Sequence, residues 1–283
     1  MPIWRLIDAG RWIILVAAAG LSLPAGERTV AMPLTMVEFT DYETSVAEAL
    51  DAVGAPHAFA RQETILVKPN LVNTSPHPVT TPPACVEAII RYIRRCSRAD
   101  IVIAEGCGDP AIDTAGVFKQ LGYGELARRS GVTLVDLNRQ PCRKLERRED
   151  PVVPEFYLPE CAFSAMVVSV PVLKAHSLAG ITGTLKNMMG FAPPSVYRGS
   201  GFWNKAAFHS RLHAAIASLN RYRQPDLTVM DASVGLAEHH LGGRSCDPPV
   251  GKILSGTDPW RLDRRAAGLL GLDWTTIGHL AMA

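Results

Sequence analysis

MVVSVPVLKAHSLAGITGTLKNMMGF, residues 166–191, is the stretch on which the predicted fold and site depend. Its first eight residues form an apolar run with the length and β-branched composition typical of a buried strand. Interleaved glycines at 180, 183 and 190 would allow the backbone to approach a ligand closely. The polar residues that follow the run are Lys174, His176, Ser177, Thr182, Thr184, Lys186 and Asn187. A strand followed by these groups predicts a site for an anionic or metal-bound ligand.

Apolar strands alternate with amphipathic helices on both sides of this stretch. Residues 64–67 and 101–104 are typical of buried strands, and residues 84–95 of a helix between them. The polar, proline-rich residues 141–159 are predicted to form an exposed excursion. Alternation of this kind predicts an α/β fold, in which a mostly parallel sheet with helices on both faces forms a single large domain.

The N-terminus, residues 1–31, has a different character. Arg5 and Arg11 precede WIILVAAAG (12–20), a weak secretory-signal pattern whose apolar run is too short to span a bilayer. The alternative is an upstream start codon, with folding that begins near Met32 or Met36. We therefore expect residues 1–31 to be a poorly ordered or mis-started extension and residues 32–283 to form the α/β domain. A cytoplasmic location follows, with export left open.

Composition excludes several classes of partner and cofactor. The formal net charge of +2 gives no concentrated basic surface for nucleic acid. The six cysteines include no C-x-x-C pair, so neither a zinc ribbon nor an iron–sulfur cluster is expected. Six thiols in a chain of 283 residues suit a reducing compartment.

Charged or amide residues follow five predicted strands directly. They are Lys68 and Asn70, Glu105, Lys174 and His176, Asp231, and Asp258. The carboxyl ends of parallel strands meet at one edge of a sheet, where ligands of open α/β sheets bind. For any one of these residues the alternative is that surface loops are polar anyway. As a set they predict a site at this edge.

The residue types divide the roles within this predicted site. Lys68, Lys174 and Lys186 would neutralise a phosphate or carboxylate. His176 and Lys174 are the candidate catalytic residues, His176 as a proton-transfer group or metal ligand; a hydrogen-bonded structural histidine is the alternative. The remaining candidate ligand-binding residues are Asn70, Thr182, Thr184 and Asn187.

Two further features of the predicted site concern phosphate and metal. GITGTLKN (180–187) resembles a phosphate cradle at a helix start, although it does not match the Walker A pattern. Glu105, Asp231 and Asp258 would hold a divalent cation or pair with the lysines.

Weaker patterns lie elsewhere in the chain. Gly106-x-Gly108-x-x-Ala111, with Asp136 at the end of the next strand, has the shape of a dinucleotide fingerprint with imperfect spacing. His209 and His213 have metal-ligand spacing, with core-edge or surface histidines as the alternative. Cys107 is a candidate nucleophile or a passive thiol. The pair His239-His240 carries little signal alone.

Four blocks of sequence resemble one prokaryotic family, labelled domain of unknown function 362: LVKPNLV (66–72), VPVLKAHSLAGITGTLKNMMGF (170–191), LHAAIASLNRYRQPDLTVMDAS (212–233) and SGTDPWRLDRRAAGLLG (255–271). The resemblance covers about residues 37–283. It implies that the family shares Lys68, Asn70, Lys174, His176, Lys186, Asn187, Asp231, Asp258 and Asp263. Some relatives carry a ferredoxin-like segment with clustered cysteines; this chain is similar to the variant without it.

Three functional hypotheses remain open at this point. The leading one is an enzyme-like α/β protein that binds a small anionic ligand at the strand ends, with or without a divalent metal. The second is a non-catalytic binding or redox-accessory protein whose partner supplies the chemistry. The third is an NAD(P)-dependent oxidoreductase built on the Gly106-Cys107-Gly108 turn.

Overall fold

The structure is a computed structural model that describes residues 33–282, so the predicted N-terminal extension lies outside the described residues. The strands are β1 Leu34–Glu38, β2 Thr64–Pro69, β3 Asp100–Glu105, β4 Thr133–Asp136, β5 Cys142–Glu146, β6 Glu155–Pro159, β7 Met166–Val170, β8 Val172–His176, β9 Gly180–Thr182, β10 Leu227–Leu236 and β11 Lys252–Gly256. The α-helices are α1 Tyr42–Ala52, α2 Ala55–Phe59, α3 Pro83–Cys96, α4 Thr114–Gln120, α5 Tyr123–Ser130, α6 Cys161–Ser164, α7 Thr184–Asn187, α8 Pro194–Tyr197, α9 Leu212–Tyr222, α10 Pro259–Leu269 and α11 Gly278–Ala281. Short 3-10 turns lie at Leu137–Arg139, Met188–Phe191, Ala206–Arg211 and Trp274–Thr276.

One sheet runs through the molecule in the order β1-β11-β10-β7-β2-β3-β4. The neighbours from β10 to β4 are parallel, and β8 continues the line of β7 along β10 after a break at Pro171. At one side of the sheet, β11 is antiparallel to both of its neighbours, β10 and β1. Strand β9 forms an antiparallel hairpin with β8. The predicted α/β fold with a mostly parallel sheet is confirmed.

Apolar side chains on the two sides of the sheet form two separate core layers. Successive residues of β2 alternate between them, with Leu66 in one layer and Val67 in the other. Helices α1, α2, α3 and α5 cover the Val67 layer, and α9 and α10 cover the Leu66 layer. Burying a side chain of this size contributes about 1.5–3 kcal/mol relative to leaving it exposed. Helices therefore cover both faces, as the sequence predicts.

The excursion predicted at residues 141–159 is part of the fold instead. It forms an antiparallel hairpin of β5 and β6 in which Phe156 and Leu158 are buried in the Leu66 layer. The charged residues of the segment form exposed ion pairs such as Lys144 with Glu155. Phe156 and Leu158 are spaced two apart, as in a strand, but this pattern is too short to stand out among the many charged residues and prolines of the segment.

Helix α7 carries Lys186 and Asn187, and it is too short to be stable by itself. Asp263 of α10 accepts hydrogen bonds from the backbone N–H groups of Thr184 (2.8 Å) and Leu185 (2.9 Å). Asn220 of α9 donates to the carbonyl oxygen of Leu185 at 2.9 Å. A built Cβ at Gly183 would lie 2.3 Å from the Asp263 carboxylate, so this approach requires glycine. Helices α9 and α10 thus fix α7 at the sheet edge.

We expect Asp263→Ala to lower the free energy of unfolding by about 2 kcal/mol, measured by urea denaturation. Two buried N–H groups would lose their acceptor, and relief from burying the carboxylate offsets part of that cost. Asp273→Ala is the matched control, because Asp273 accepts from the Thr275 N–H at 2.9 Å on an exposed turn. It should cost about 1 kcal/mol or less. Equal losses in the two variants would contradict the anchoring role of Asp263.

Candidate functional site

A cavity of about 100 Å³ opens at the carboxyl ends of β2 and β3. His176 of β8 contributes to its wall, and the other lining residues lie within the segments 68–72, 105–108, 186–190, 203–209 and 240–241. The volume suits a small molecule or several waters, since about 10–15 Å³ on this scale holds one water. Polar strand ends and an apolar part that includes Trp203 and Met189 thus form one concave site.

Lys68 and Glu105 form a buried ion pair in the cavity wall. The Lys68 ammonium donates to Glu105 Oε1 (2.8 Å), Asn187 Oδ1 (2.9 Å) and the Pro69 carbonyl oxygen (3.2 Å). Three acceptors match the three protons of an ammonium group, which holds Lys68 charged although burial lowers its pKa. Glu105 also accepts from the Gly106 N–H (2.7 Å) and the Leu71 N–H (3.0 Å). Both side chains are committed to each other and to the backbone.

Lys174 lies behind the cavity wall. Its ammonium donates to Asn70 Oδ1 at 2.7 Å and to the Val79 carbonyl oxygen at 2.5 Å. Burial, with a smaller contribution from the charge of Lys186, lowers the pKa of Lys174 to about 7. Asn70 itself lines the cavity and donates to Asn187 Oδ1 at 3.3 Å. Lys174 therefore orients Asn70, and it does not line the cavity where a catalytic group would act.

Two other lysines bring charge into the cavity without a carboxylate partner. Lys186 makes no hydrogen bond or ion pair with any residue of the described part of the chain. Burial and the charge of Lys68 lower its pKa to about 8. Lys205 donates to Asn138 Oδ1 and to the Ala192 carbonyl oxygen, and burial lowers its pKa to about 7. The cavity is therefore a desolvated, electropositive space.

Three histidines line the same cavity, and hydrogen bonds fix the tautomers of two of them. His176 Nδ1 accepts from the N–H groups of Leu178 and Ala179, both at 3.1 Å, so its proton lies on Nε2. His209 Nδ1 donates to the Lys205 carbonyl oxygen at 3.2 Å, so its Nε2 is an acceptor. His240 stacks on His176 with ring centroids 3.6 Å apart. Burial lowers the pKa of all three, that of His240 to about 3.

The structure does not bring the three predicted metal-binding carboxylates together. Strand β10 continues to Leu236, so Asp231 lies inside the strand and accepts from Tyr42 Oη (2.8 Å) and the Ser233 N–H (2.9 Å). Because β11 is antiparallel, Asp258 lies at the opposite edge of the sheet, where it caps α10. Among residues 33–282, no three His, Cys, Asp or Glu side chains are grouped to hold a metal ion. The prediction of a shared site for these carboxylates is wrong.

The predicted phosphate cradle is filled by the protein itself. The N–H groups of Thr184 and Leu185 point at Asp263, so the anion at this turn is an internal carboxylate. The hydroxyl of Thr184 contacts that of Thr228 at 2.8 Å in the core. Thr182 is buried on β9 and does not line the cavity. Neither threonine is placed to bind a ligand there, because the strand-to-helix turn faces α10 and not the open edge.

The dinucleotide and histidine-pair patterns also acquire other roles. Gly106 and Gly108 line the cavity, but the N-terminus of α4 is capped by Asp113, which accepts from the Gly116 N–H at 2.8 Å. An acidic cap occupies the place where a pyrophosphate would bind. His213 lies beside His279, with their Nδ1 atoms 3.0 Å apart, and not with His209.

The structure adds site residues that were only weakly indicated by the sequence. Trp203 and Lys205 have no motif around them, and His209 and His240 belong to patterns that pointed elsewhere. All four lie in loops or turns far in sequence from Lys68. Trp203, Lys205 and His209 reach the cavity because the folded chain brings residues 203–209 back to the strand ends. Of the candidate catalytic and ligand-binding residues, those that line the cavity are Lys68, Asn70, His176, Lys186 and Asn187.

The family model described as "Domain of unknown function (DUF362)" matches residues 65–268, and the chain belongs to this family. A relative, the thylakoid-associated protein sll1697 of Synechocystis sp., is 24% identical over 246 residues, which cover 84% of this chain and 72% of the relative. The lactate racemase apoprotein from Thermoanaerobacterium thermosaccharolyticum has a similar fold, with a TM-score of 0.52 at 11% identity. The match covers 86% of this chain and 57% of that one, so this chain spans little more than half of its length. In residues 33–282 no helix has the length and apolar character needed to cross a membrane.

Neutral buried histidines should make the fold sensitive to mild acid. Unfolded histidine titrates near 6.5, whereas burial lowers the pKa of His240 and His279 to about 3. Below pH 6.5 the unfolded chain binds more protons, so the free energy of unfolding falls as pH falls. Between pH 6 and pH 5, we expect the free energy of unfolding of His240→Gln to fall by about 1 kcal/mol per pH unit less than that of the unmodified protein, as measured by urea denaturation. The exposed His57 provides the control, and a slope unchanged in His240→Gln but changed in His57→Gln would contradict the assignment.

Proposed function

We propose that this protein binds a small organic anion, bearing a carboxylate or phosphate, in the cavity at the carboxyl ends of β2 and β3. The observation that carries the proposal is the pair Lys186 and Lys205, which line the cavity and contact no carboxylate among the described residues. Lys205 is buried and Lys186 half-buried, and a cation withdrawn from water without a counter-ion is costly. A ligand that supplies the missing negative charge removes that cost.

The size of the electrostatic energy favours an anion over a neutral ligand. One unit charge 4 Å from another gains about 4 kcal/mol at the effective dielectric constant typical near protein surfaces. Two lysines share this interaction, whereas the third cation of the wall, Lys68, is already neutralised by Glu105 at 2.8 Å. The volume of about 100 Å³ favours a ligand of a few heavy atoms. Lactate, on which the similarly folded lactate racemase acts by its name, has this size and charge class.

Proton transfer is the chemistry that the site would add to binding. His176 offers a proton on Nε2, and His209 offers a lone pair on Nε2, both beside the cavity. Desolvation keeps both rings neutral, so one can donate and the other accept without prior ionisation. We therefore assign the enzyme-like role to these two histidines, with Lys174 as a positioning residue for Asn70.

An anion panel tests the binding site. We expect lactate, pyruvate and phosphate to raise the melting temperature, because a ligand of the native state stabilises it by about 2.7 kcal/mol at one hundred times its Kd. Lys186→Met and Lys205→Met should each lose most of the shift. Lys119→Met, on the exposed end of α4, is the matched control and should keep it. A shift retained in both cavity variants would refute the site.

Binding should also take up protons. A bound anion favours the ammonium forms of Lys186 and Lys205, whose pKa values burial lowers to about 8 and about 7. At pH 8 both lysines are partly neutral before binding, so calorimetric enthalpies should depend on the ionisation enthalpy of the buffer. The dependence should shrink in Lys205→Met. Enthalpies that are equal in phosphate-free buffers of different ionisation enthalpy would contradict this linkage.

A further inference from the structure

We propose that Lys186 is an amine nucleophile that forms a Schiff base with a small 2-oxo acid, an inference that rests on the anion site proposed above. The relevant contrast is among the four lysines in or behind the cavity wall, of which Lys186 is half-buried and the others buried. Lys68, Lys174 and Lys205 each donate to at least two acceptors. Lys186 lines the cavity with no acceptor among the described residues. Its nitrogen is free to form a covalent bond.

The backbone beneath Lys186 is fixed while its side chain is not. Asp263 holds the start of α7 and Asn220 holds the carbonyl oxygen of Leu185, so the Cα of Lys186 has a defined position. No hydrogen bond has to be broken before the amine reaches a ligand. Catalysis by a positioned nucleophile needs this combination of a rigid support and an uncommitted reacting atom.

The charge state of Lys186 favours reaction near neutral pH. Burial and the neighbouring charge of Lys68 lower its pKa to about 8 from an ordinary 10.5. About a tenth of the side chain is then free amine at pH 7, about three hundred times more than for a lysine with the ordinary pKa of 10.5. Desolvation beside a second cation is a recognised way to activate a lysine for imine formation.

The surroundings of Lys186 supply the other groups that the reaction requires. The lone pair of the Lys186 amine would attack the keto carbon, a C–N bond would form, and the C=O electron pair would move to oxygen. His209 Nε2 takes one proton from the nitrogen and the His176 Nε2–H gives one to the oxygen, which yields the carbinolamine. The proton on His209 then passes to the carbinolamine oxygen, which leaves as water as the C=N bond forms, and the proton left on the nitrogen returns to His176 Nε2. Lysine and 2-oxo acid thus give imine and one water, with no oxidant or reductant. Lys205 holds the carboxylate.

The carboxylate sets the class of carbonyl compound. Lys205 is a cation in the wall without a carboxylate contact, so a keto group linked directly to a carboxylate satisfies both lysines at once. A simple ketone would leave Lys205 unpaired. A 2-oxo acid with three carbons has few enough heavy atoms for the cavity of about 100 Å³. The geometry therefore points to a 2-oxo acid of the size of pyruvate or glyoxylate.

Reductive trapping tests this inference directly. The full chain is incubated with pyruvate and sodium cyanoborohydride, which delivers hydride to the imine carbon and makes the bond permanent. We expect one carboxyethyl adduct in the intact mass, located at Lys186 by peptide mapping and at least about tenfold above any exposed lysine. Acetone, which lacks the carboxylate, should label Lys186 far less, and Lys205→Met should lower labelling by pyruvate but not by acetone.

Lys186→Arg separates this inference from the anion site. It keeps the positive charge, so the melting-temperature shift with pyruvate should persist while the adduct disappears; Lys119→Arg should keep both. A pyruvate shift in the unmodified sequence without an adduct at Lys186 would overturn the Schiff base and leave the anion site standing. Adducts spread evenly over exposed lysines would overturn it as well. Absence of both the shift and the adduct would overturn both proposals.

Discussion

The Lys68 ammonium joins three parts of the molecule that are distant in sequence. Its acceptors are Glu105 at the end of β3, Asn187 of α7 and the carbonyl oxygen of the next residue, Pro69. Gly190 makes this packing feasible, since a built Cβ there would lie 2.6 Å from Lys68 Nζ. Loss of one partner of such a buried pair costs about 3–5 kcal/mol, because the other charge is left uncompensated. The wall of the cavity is therefore held together by an interaction that tolerates little displacement.

An excess of buried positive charge surrounds this ion pair. Lys174, Lys186 and Lys205 are desolvated, and Glu105 is already paired with Lys68. Such an arrangement lowers the stability of the fold, because the unfolded chain keeps these lysines hydrated and protonated. Groups that violate the usual rule for buried charges are expected where function requires them. Their convergence on one cavity distinguishes a binding site from scattered structural defects.

The turn at Gly183 shows how the same backbone feature can serve the fold instead of a ligand. Backbone N–H groups at a helix start bind anions, and Asp263 supplies the anion from within the chain. Burial raises the pKa of Asp263 to about 7, with the two N–H donors acting in the opposite direction. The turn thereby positions Lys186 and leaves recognition of an external anion to side chains. The likeness to lactate racemase at 11% identity concerns the arrangement of elements alone.

Sequence by itself determined the features that depend on local pattern. Alternating apolar runs and amphipathic stretches predicted the parallel sheet with helices on both faces. Because Lys68, Asn70 and Glu105 directly follow predicted strands, the sequence indicated that they lie together at the carboxyl ends of the strands. Of the motif at 174–187, the residues His176, Lys186 and Asn187 line the cavity, whereas Lys174, Thr182 and Thr184 do not.

Tertiary structure alone decided strand direction, strand length and the return of distant loops. The predicted position of Asp258 was wrong because the antiparallel pairing of β11 depends on partners far along the chain. The predicted position of Asp231 was wrong because β10 extends past it to Leu236. Lys205 and His209 reach the cavity only because their segment folds back over the ends of β2 and β3. Long-range contacts of this kind carry no periodicity in sequence, so the charge balance of the site became visible only when the chain was folded.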